Sequence, residues 1–450
     1  MPPPPLRAPD RSGSLNRTVV RLALPTILMN VSTPLLGAVD TAVVGHLRDI
    51  SHLGAVGLGS LLFTMVYWTV GFFRMSTVGL AAQAHGRGDA QESAEVLGRA
   101  VVLALVLGGL AIALREIIVG AAFWYFEASP EVERHARTYF GIRVFAAPAA
   151  FVLLSFQGWF YGVHNVAFPV LVTVFVNAVN IGLDLLFVVR WGYRSDGVAW
   201  ATLISQYLGL ALTVGLFAWR YGDHWRRLAP ARLLRWAQFR VLLALNSDIF
   251  LRTLSLQVAN LYFMAKSAAL GDAVLAANTI LLQMRYLGTY GLDGFATAAE
   301  VTVGAAIGAG DRPRLLAAIR LALGWGMAVG ALISALFLAA SPWWPAWFTS
   351  NEAVRGLVVA YLVWVVLEPW VSNVPFMLDG VYIGATATRT LRNAMLVSVL
   401  LVFLPAIELL GRAYGNHGLW AATLLLYVAR GATLALPLRR LWRDSASRLR

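Results

Sequence analysis

The chain has no cysteine among its 450 residues, so it forms no disulfide and ligates no metal through thiolate. The same absence leaves its redox compartment uninformed. Charge is scarce: Asp, Glu, Lys and Arg make up 13% of the residues, against about 25% in soluble globular chains. Lysine is all but missing, since of 36 basic residues only Lys266 is not arginine. The seven histidines (His46, His52, His85, His135, His164, His224 and His417) are scattered over turns and span ends without metal-ligand spacing. No activated nucleophile accompanies any pair of acids. No metal, no cofactor and no enzyme activity are therefore expected.

Apolar residues are abundant instead. They form 59% of the chain, mean hydropathy is +0.68, and runs of about 20 or more recur from end to end. The pattern is that of a polytopic membrane protein. The net charge of +13 sits on arginines between apolar runs, where orientation in the bilayer explains it better than nucleic acid does. Met1–Arg17 is Pro-rich and charged, reads as a disordered tail, and does not resemble a cleavable signal.

Apolar length and polar punctuation place about twelve spans, near 18–45, 53–83, 94–114, 133–160, 168–190, 197–219, 241–268, 274–307, 314–340, 353–381, 392–411 and 416–437. The long basic break 220–240 is assigned to the cytoplasm, which puts both termini there as well. The expected organisation is a tail (1–17), a first lobe (18–219), a basic linker (220–240), a second lobe (241–440) and a cytoplasmic tail (441–450).

The linker divides an internal repeat. His85-Gly86-Arg87-Gly88-Asp89 matches Ile307-Gly308-Ala309-Gly310-Asp311, and Asp196-Gly197 through Thr202 matches His417-Gly418 through Thr423, at an offset of 221 or 222 residues. An even number of spans per half makes the repeat parallel, an architecture of transporters. The fold class is thus all-α, with two pseudo-symmetric six-helix lobes.

Acids inside spans are costly and usually mark ion pathways. Asn177, Asn180 and Asp184 fall on one stripe of the fifth span. Asp40, Asp184, Thr202 and Tyr139 each lie about 8–10 Å from the same end of their spans. Two carboxylates at one depth in low dielectric repel, so the pair is expected to share exchangeable positive charge. Asn180, Thr202 and Tyr139 add donors or oxygen ligands, which suit H+ or Na+ alike. In the second half Tyr262 stands opposite Asp40 and Ala406 opposite Asp184, so the acid pair is not repeated. Pro25 inside the first span permits a bend.

Leu24-Pro25, Asp40-Thr41-Ala42-Val43-Val44-Gly45-His46-Leu47, Leu53-Gly54-Ala55-Val56-Gly57-Leu58, Asn180 with Asp184, and Asp196-Gly197 through Thr202 resemble the multidrug and toxic compound extrusion (MATE) transporters. Leu292-Asp293-Gly294-Phe295-Ala296-Thr297-Ala298-Ala299-Glu300 resembles the DinF branch of that family. The resemblance covers nearly the whole chain after Arg17. It implies twelve helices around a central cleft, and export of amphipathic or cationic drugs against an ion, most readily H+. It places the coupling ion at Asp40, Asp184, Asn180 and Thr202, with Tyr139 and Asn177 supporting and Pro25 as the bend. Gly37 departs from members that carry a tyrosine before the acid, and Arg252 disfavours a Na+ site in the second lobe. The alternatives are a Na+-coupled antiporter and a flippase of lipid-linked precursors. The expected protein is a monomer in a bacterial or archaeal cytoplasmic membrane, with drugs and the bilayer as its partners and no nucleic acid.

Overall fold

The computed structural model describes residues 15–45, 54–60, 63, 71–125, 129–226, 233 and 235–438, without the side chains of residues 33–45, 125 and 225. The expected terminal tails and the middle of the linker lie mostly outside the described residues. All regular structure among those residues is helical. The first half holds α1 (Leu15–Gly45), α2 (54–60), α3 (Phe72–Arg87), α4 (Ala90–Ala113), α5 (Arg115–Tyr125), α6 (Pro130–Arg143), α7 (Ala147–Gly162), α8 (Ala167–Asp184) and α9 (Ser195–Arg226). The second half holds α10 (Trp236–Ala269), α11 (Asp272–Gly308), α12 (Arg312–Ala340), α13 (Trp344–Phe348), α14 (Glu352–Gly384), α15 (Thr388–Val397), α16 (Leu404–Tyr414) and α17 (Asn416–Ala435). A 3₁₀ turn joins α6 to α7, and π turns follow α8 (Leu185–Arg190) and precede α16 (Ser398–Phe403). Among the described residues nine helical stretches are long and apolar enough to cross a bilayer. The chain is an all-α, multi-pass membrane protein.

Two compact units arise. Among the described residues, one holds those within 28–242, the other those within 15–27 and 243–438. The division therefore falls inside α1, between Ile27 and Leu28.

The repeat is visible in local geometry. The α3–α4 turn closes with Gly88 at φ 71°, and the α11–α12 turn with Gly310 at φ 68°, a left-handed conformation that glycine adopts without strain. Each turn then caps the next helix: Asp89 accepts from the Glu92 amide at 2.8 Å and Asp311 from the Arg314 amide at 2.9 Å. The only non-glycine residues with positive φ among those described, His164 and Thr386, follow α7 and α14 at equivalent places.

Helix packing repeats as well. In the first unit α7 packs on α3 and α4, and α9 on α6 and α8; in the second, α14 packs on α11 and α12, and α17 on α14 and α16. Glycines let these backbones approach closely, as small residues do between helices in lipid. A Cβ on Gly158 would lie 2.6 Å from the Arg74 carbonyl oxygen, and one on Gly162 would lie 2.5 Å from the Ala81 methyl. At matching positions, a Cβ on Gly380 would meet the Ala296 oxygen at 2.2 Å, and one on Gly384 the Glu300 oxygen at 2.3 Å. Gly108 faces Pro148 and Gly330 faces Pro369 in the same way.

Aromatic rings fill the first unit's core. Trp159 meets Phe156, Phe160 and Phe217 there, and its Nε1 donates to the Ser93 carbonyl at 2.9 Å. Two short helices, α5 and α13, lie where the sequence reading placed only breaks between spans. Val119 and Ala122 of α5 tuck against Phe63, Phe140 and Val144.

Gly380→Ala is expected to destabilise the protein by about 1–3 kcal/mol, because its methyl would enter backbone rather than a yielding side chain. Gly356→Ala, which meets nothing within 4 Å, serves as the control. Thermal unfolding of detergent-solubilised protein, followed by size-exclusion fluorescence, reads the difference.

Candidate ion-coupling site

Asp184 is the last residue of α8 before the helix widens into a π turn, and it is fully buried. Single π turns inside helices are frequent at functional sites, because the extra residue re-aims the side chains beside it. Asn180 lies one turn earlier on the same face and is also buried, while Asn177 is half-buried. Asn180 Nδ2 donates to Thr202 Oγ1 on α9 at 3.4 Å, and that hydroxyl donates to the Val198 carbonyl at 3.0 Å. The α8–α9 packing thus joins Asn180 to Thr202, with Asp184 one turn away.

Tyr139 on α6 has its ring among Val56, Val188, Val198 and Ala199. Val188 lies one turn beyond Asp184, and Val198 one turn before Thr202. The Tyr139 hydroxyl pairs with Ser60 Oγ at 3.2 Å and accepts a hydrogen bond from Arg143 Nη1. Arg143 in turn sits 4.7 Å from the Phe63 ring centroid. Gly59 makes room for the ring, since a Cβ there would lie 2.3 Å from Tyr139 Cδ1. The Ser60–Arg143 bracket was not anticipated from the sequence; the i,i+4 spacing of Tyr139 and Arg143 was its available signal.

Asp40 lies on α1, and its side chain is outside the described residues. Helix α1 continues through Pro25, which stands three residues before the division between the units. Thr26 Oγ1 donates to the Leu22 carbonyl at 2.8 Å beside that proline. The first turns of α1 belong with the second unit: a Cβ on Gly294 of α11 would lie 2.8 Å from the Ala23 oxygen, and Asn16 accepts from Trp325 Nε1 at 2.6 Å.

The second unit buries more charge than the first and satisfies it differently. Asp248 accepts from Arg392 at 2.7 Å and from Thr388 at 2.9 Å. Asp379 takes hydrogen bonds from both Arg252 and Arg430. Glu368 faces Arg285 at 3.7 Å, and Arg285 also donates to Asn260 at 3.0 Å. A fourth acid, Glu408, meets Lys266 and Tyr262. The sequence places Arg252, Lys266, Arg285, Asp293, Glu300, Glu368 and Asp379 inside second-half spans, where structural pairing is expected for most of them. Arg430 and Glu408 escaped that reading. For Glu408 the available signal was an acid in an apolar span, two residues past the repeat partner of Asp184.

The chain matches the MatE family model over residues 25–186 and 249–407. It belongs to the MATE family. This MATE-family chain is 37% identical over 433 residues to the Escherichia coli "DNA damage-inducible protein F", covering 96% of this chain and 94% of that one. It is 29% identical over 306 residues to the human "Multidrug and toxin extrusion protein 1", covering 66% of this chain and 51% of that protein. Solved structures of MATE transporters share its fold. An outward-facing one aligns with TM-score 0.86 at 19% identity over 97% of each chain, and a bent conformation with TM-score 0.87 at 19% identity over 97% of this chain and 98% of that one. The family is one of transporters rather than enzymes.

Within this MATE-family fold, Asp379→Asn would leave two buried guanidiniums facing a neutral amide. A loss of about 3–5 kcal/mol is expected, since one partner of a buried ionic cluster is removed. Reduced yield and a lowered Tm of purified protein check it, and Arg87→Ala at an exposed pair should change neither.

Proposed function

We propose that the chain is a proton-coupled antiporter of the cytoplasmic membrane that exports amphipathic or cationic compounds by alternating access. The carrying observation is where the two units bury acids, with Asp184 of the first at the π turn that ends α8. In the second, Asp248, Glu368 and Asp379 are already matched by arginine, so they have little capacity for a further cation. In the first, Asp184 is buried one turn from Asn180, which is hydrogen-bonded to Thr202. Such a setting supports loading and unloading of a proton. The names of the human relative and of a Thermotoga maritima relative, "Probable multidrug resistance protein NorM", favour drug export.

Each part has a role in this reading. Asp40 and Asp184 hold the exchangeable charge, Asn180 donates to it from the same stripe, Thr202 orients Asn180, and Tyr139 closes the site from α6. Asn177 supports the same stripe one turn deeper. Pro25, having no amide hydrogen, lets α1 bend next to the point where the chain passes between units. Both termini face the cytoplasm. Na+ in place of H+ is the second reading, favoured by the oxygen donors of Asp184, Asn180 and Thr202.

Proteoliposomes with pH and Na+ gradients imposed separately test the proposal. Ethidium efflux should follow the pH gradient alone, and Asp184→Asn and Asp40→Asn should each lower it tenfold or more without loss of folded protein. Efflux driven by Na+ at equal pH would transfer the assignment to the second reading. Full activity of Asp184→Asn would remove the site.

A further inference from the structure

The one lysine of the chain does not sit on a surface loop. Lys266 lies in α10, three residues before its end, with its ammonium 2.5 Å from Glu408 Oε1 on α16. Tyr262, one turn earlier on α10, donates its hydroxyl to the same carboxylate and places its ring centroid 5.3 Å from the ammonium. Arg412 approaches the other oxygen at 3.6 Å, but its side chain is 83% exposed and weakly held. A carboxylate, a hydroxyl and an aromatic face thus surround one ammonium. That is the donor set by which proteins recognise organic ammonium ions.

Its place in the repeat strengthens the reading. Glu408 is six residues before the end of α16, and Asp184 is six residues before the end of the π turn that extends α8. Tyr262 stands opposite Asp40. The helix pair that carries the coupling acids in the first unit therefore carries this cluster in the second, at matching depth.

The choice of lysine also matters. Asp248, Glu368 and Asp379 are each held by arginine, whose planar fork binds a carboxylate in a fixed geometry. Lys266 is a point charge on a flexible stem, and its side chain and that of Glu408 are 35% and 30% exposed. Its stem lets the ammonium swing aside and leave the carboxylate and ring behind. Replacing its ammonium by that of a ligand leaves the local charge unchanged, so the exchange carries little electrostatic cost.

We infer that Glu408 and Tyr262 form a binding site for an organic ammonium, and that Lys266 occupies it as a tethered stand-in until such a compound displaces it. The inference rests on the export reading above for its physiological cargo, but the site is tested by binding alone.

The probe is ethidium, titrated by fluorescence anisotropy into the purified full-length protein. Lys266→Met vacates the carboxylate and is expected to tighten binding about tenfold. Lys266→Arg should leave it weak. Glu408→Gln should abolish the gain when added to Lys266→Met, and Tyr262→Leu should reduce it. A neutral dye should show no gain. Should Lys266→Met fold poorly by size-exclusion chromatography, acetylation of the wild-type protein neutralises the same, single lysine. It must then tighten binding in wild type and not in Lys266→Arg. Unchanged or weaker binding after charge removal, or a gain that survives Glu408→Gln, overturns the inference. Ethidium efflux from proteoliposomes is read in parallel. Efflux by wild type with no binding gain refutes this site alone, whereas a binding gain without efflux from any variant refutes the export reading and leaves the site.

Discussion

A charge inside a bilayer persists only with compensation, because water is not there to solvate it. Ion pairs supply that compensation in both units, Arg99 meeting Glu95 in the first. The second unit matches Asp248, Glu368 and Asp379 with arginine. The first unit buries Asp184 one turn from Asn180, whose amide donates to Thr202. Carboxylates held by arginine are part of the scaffold.

The scaffold beneath both is shared. Gly158 and Gly162 on α7, and Gly380 and Gly384 on α14, bring each fourth span of a half against its second at backbone distance. Where lipid supplies no hydrophobic drive between helices, such close approach is what holds a bundle together. The capped turns at Asp89 and Asp311 then fix where the following helices start. With the frame held by backbone contacts, polar side chains at equivalent positions are free to differ. Tyr262 and Glu408 show this, occupying the helix pair that carries Asp40 and Asp184 in the other half.

Helix α1 belongs to both units. Its turns before Leu28 pack with the second unit, through Ala23 and Ile27 against Gly294, and the rest goes with the first. Pro25 stands beside that division, where a missing backbone hydrogen bond makes bending cheapest. The helix carries Asp40 toward its far end, and its near end packs within the second unit.

The sequence by itself determined the class, the repeat and the candidate residues. Apolar length and scarce charge define membrane helices, an offset of 221 or 222 residues reveals the duplication, and helical spacing puts Asn177, Asn180 and Asp184 on one stripe. These are properties of the local chain, so a linear reading finds them. Partner choice was decided only by the tertiary structure. Nothing in the spacing of Arg252, Asp379 and Arg430 says that two guanidiniums share one carboxylate, or that Lys266 reaches Glu408 across 142 positions. Helix packing brings those groups together, and a contact across helices depends on rotation and depth that no local pattern encodes.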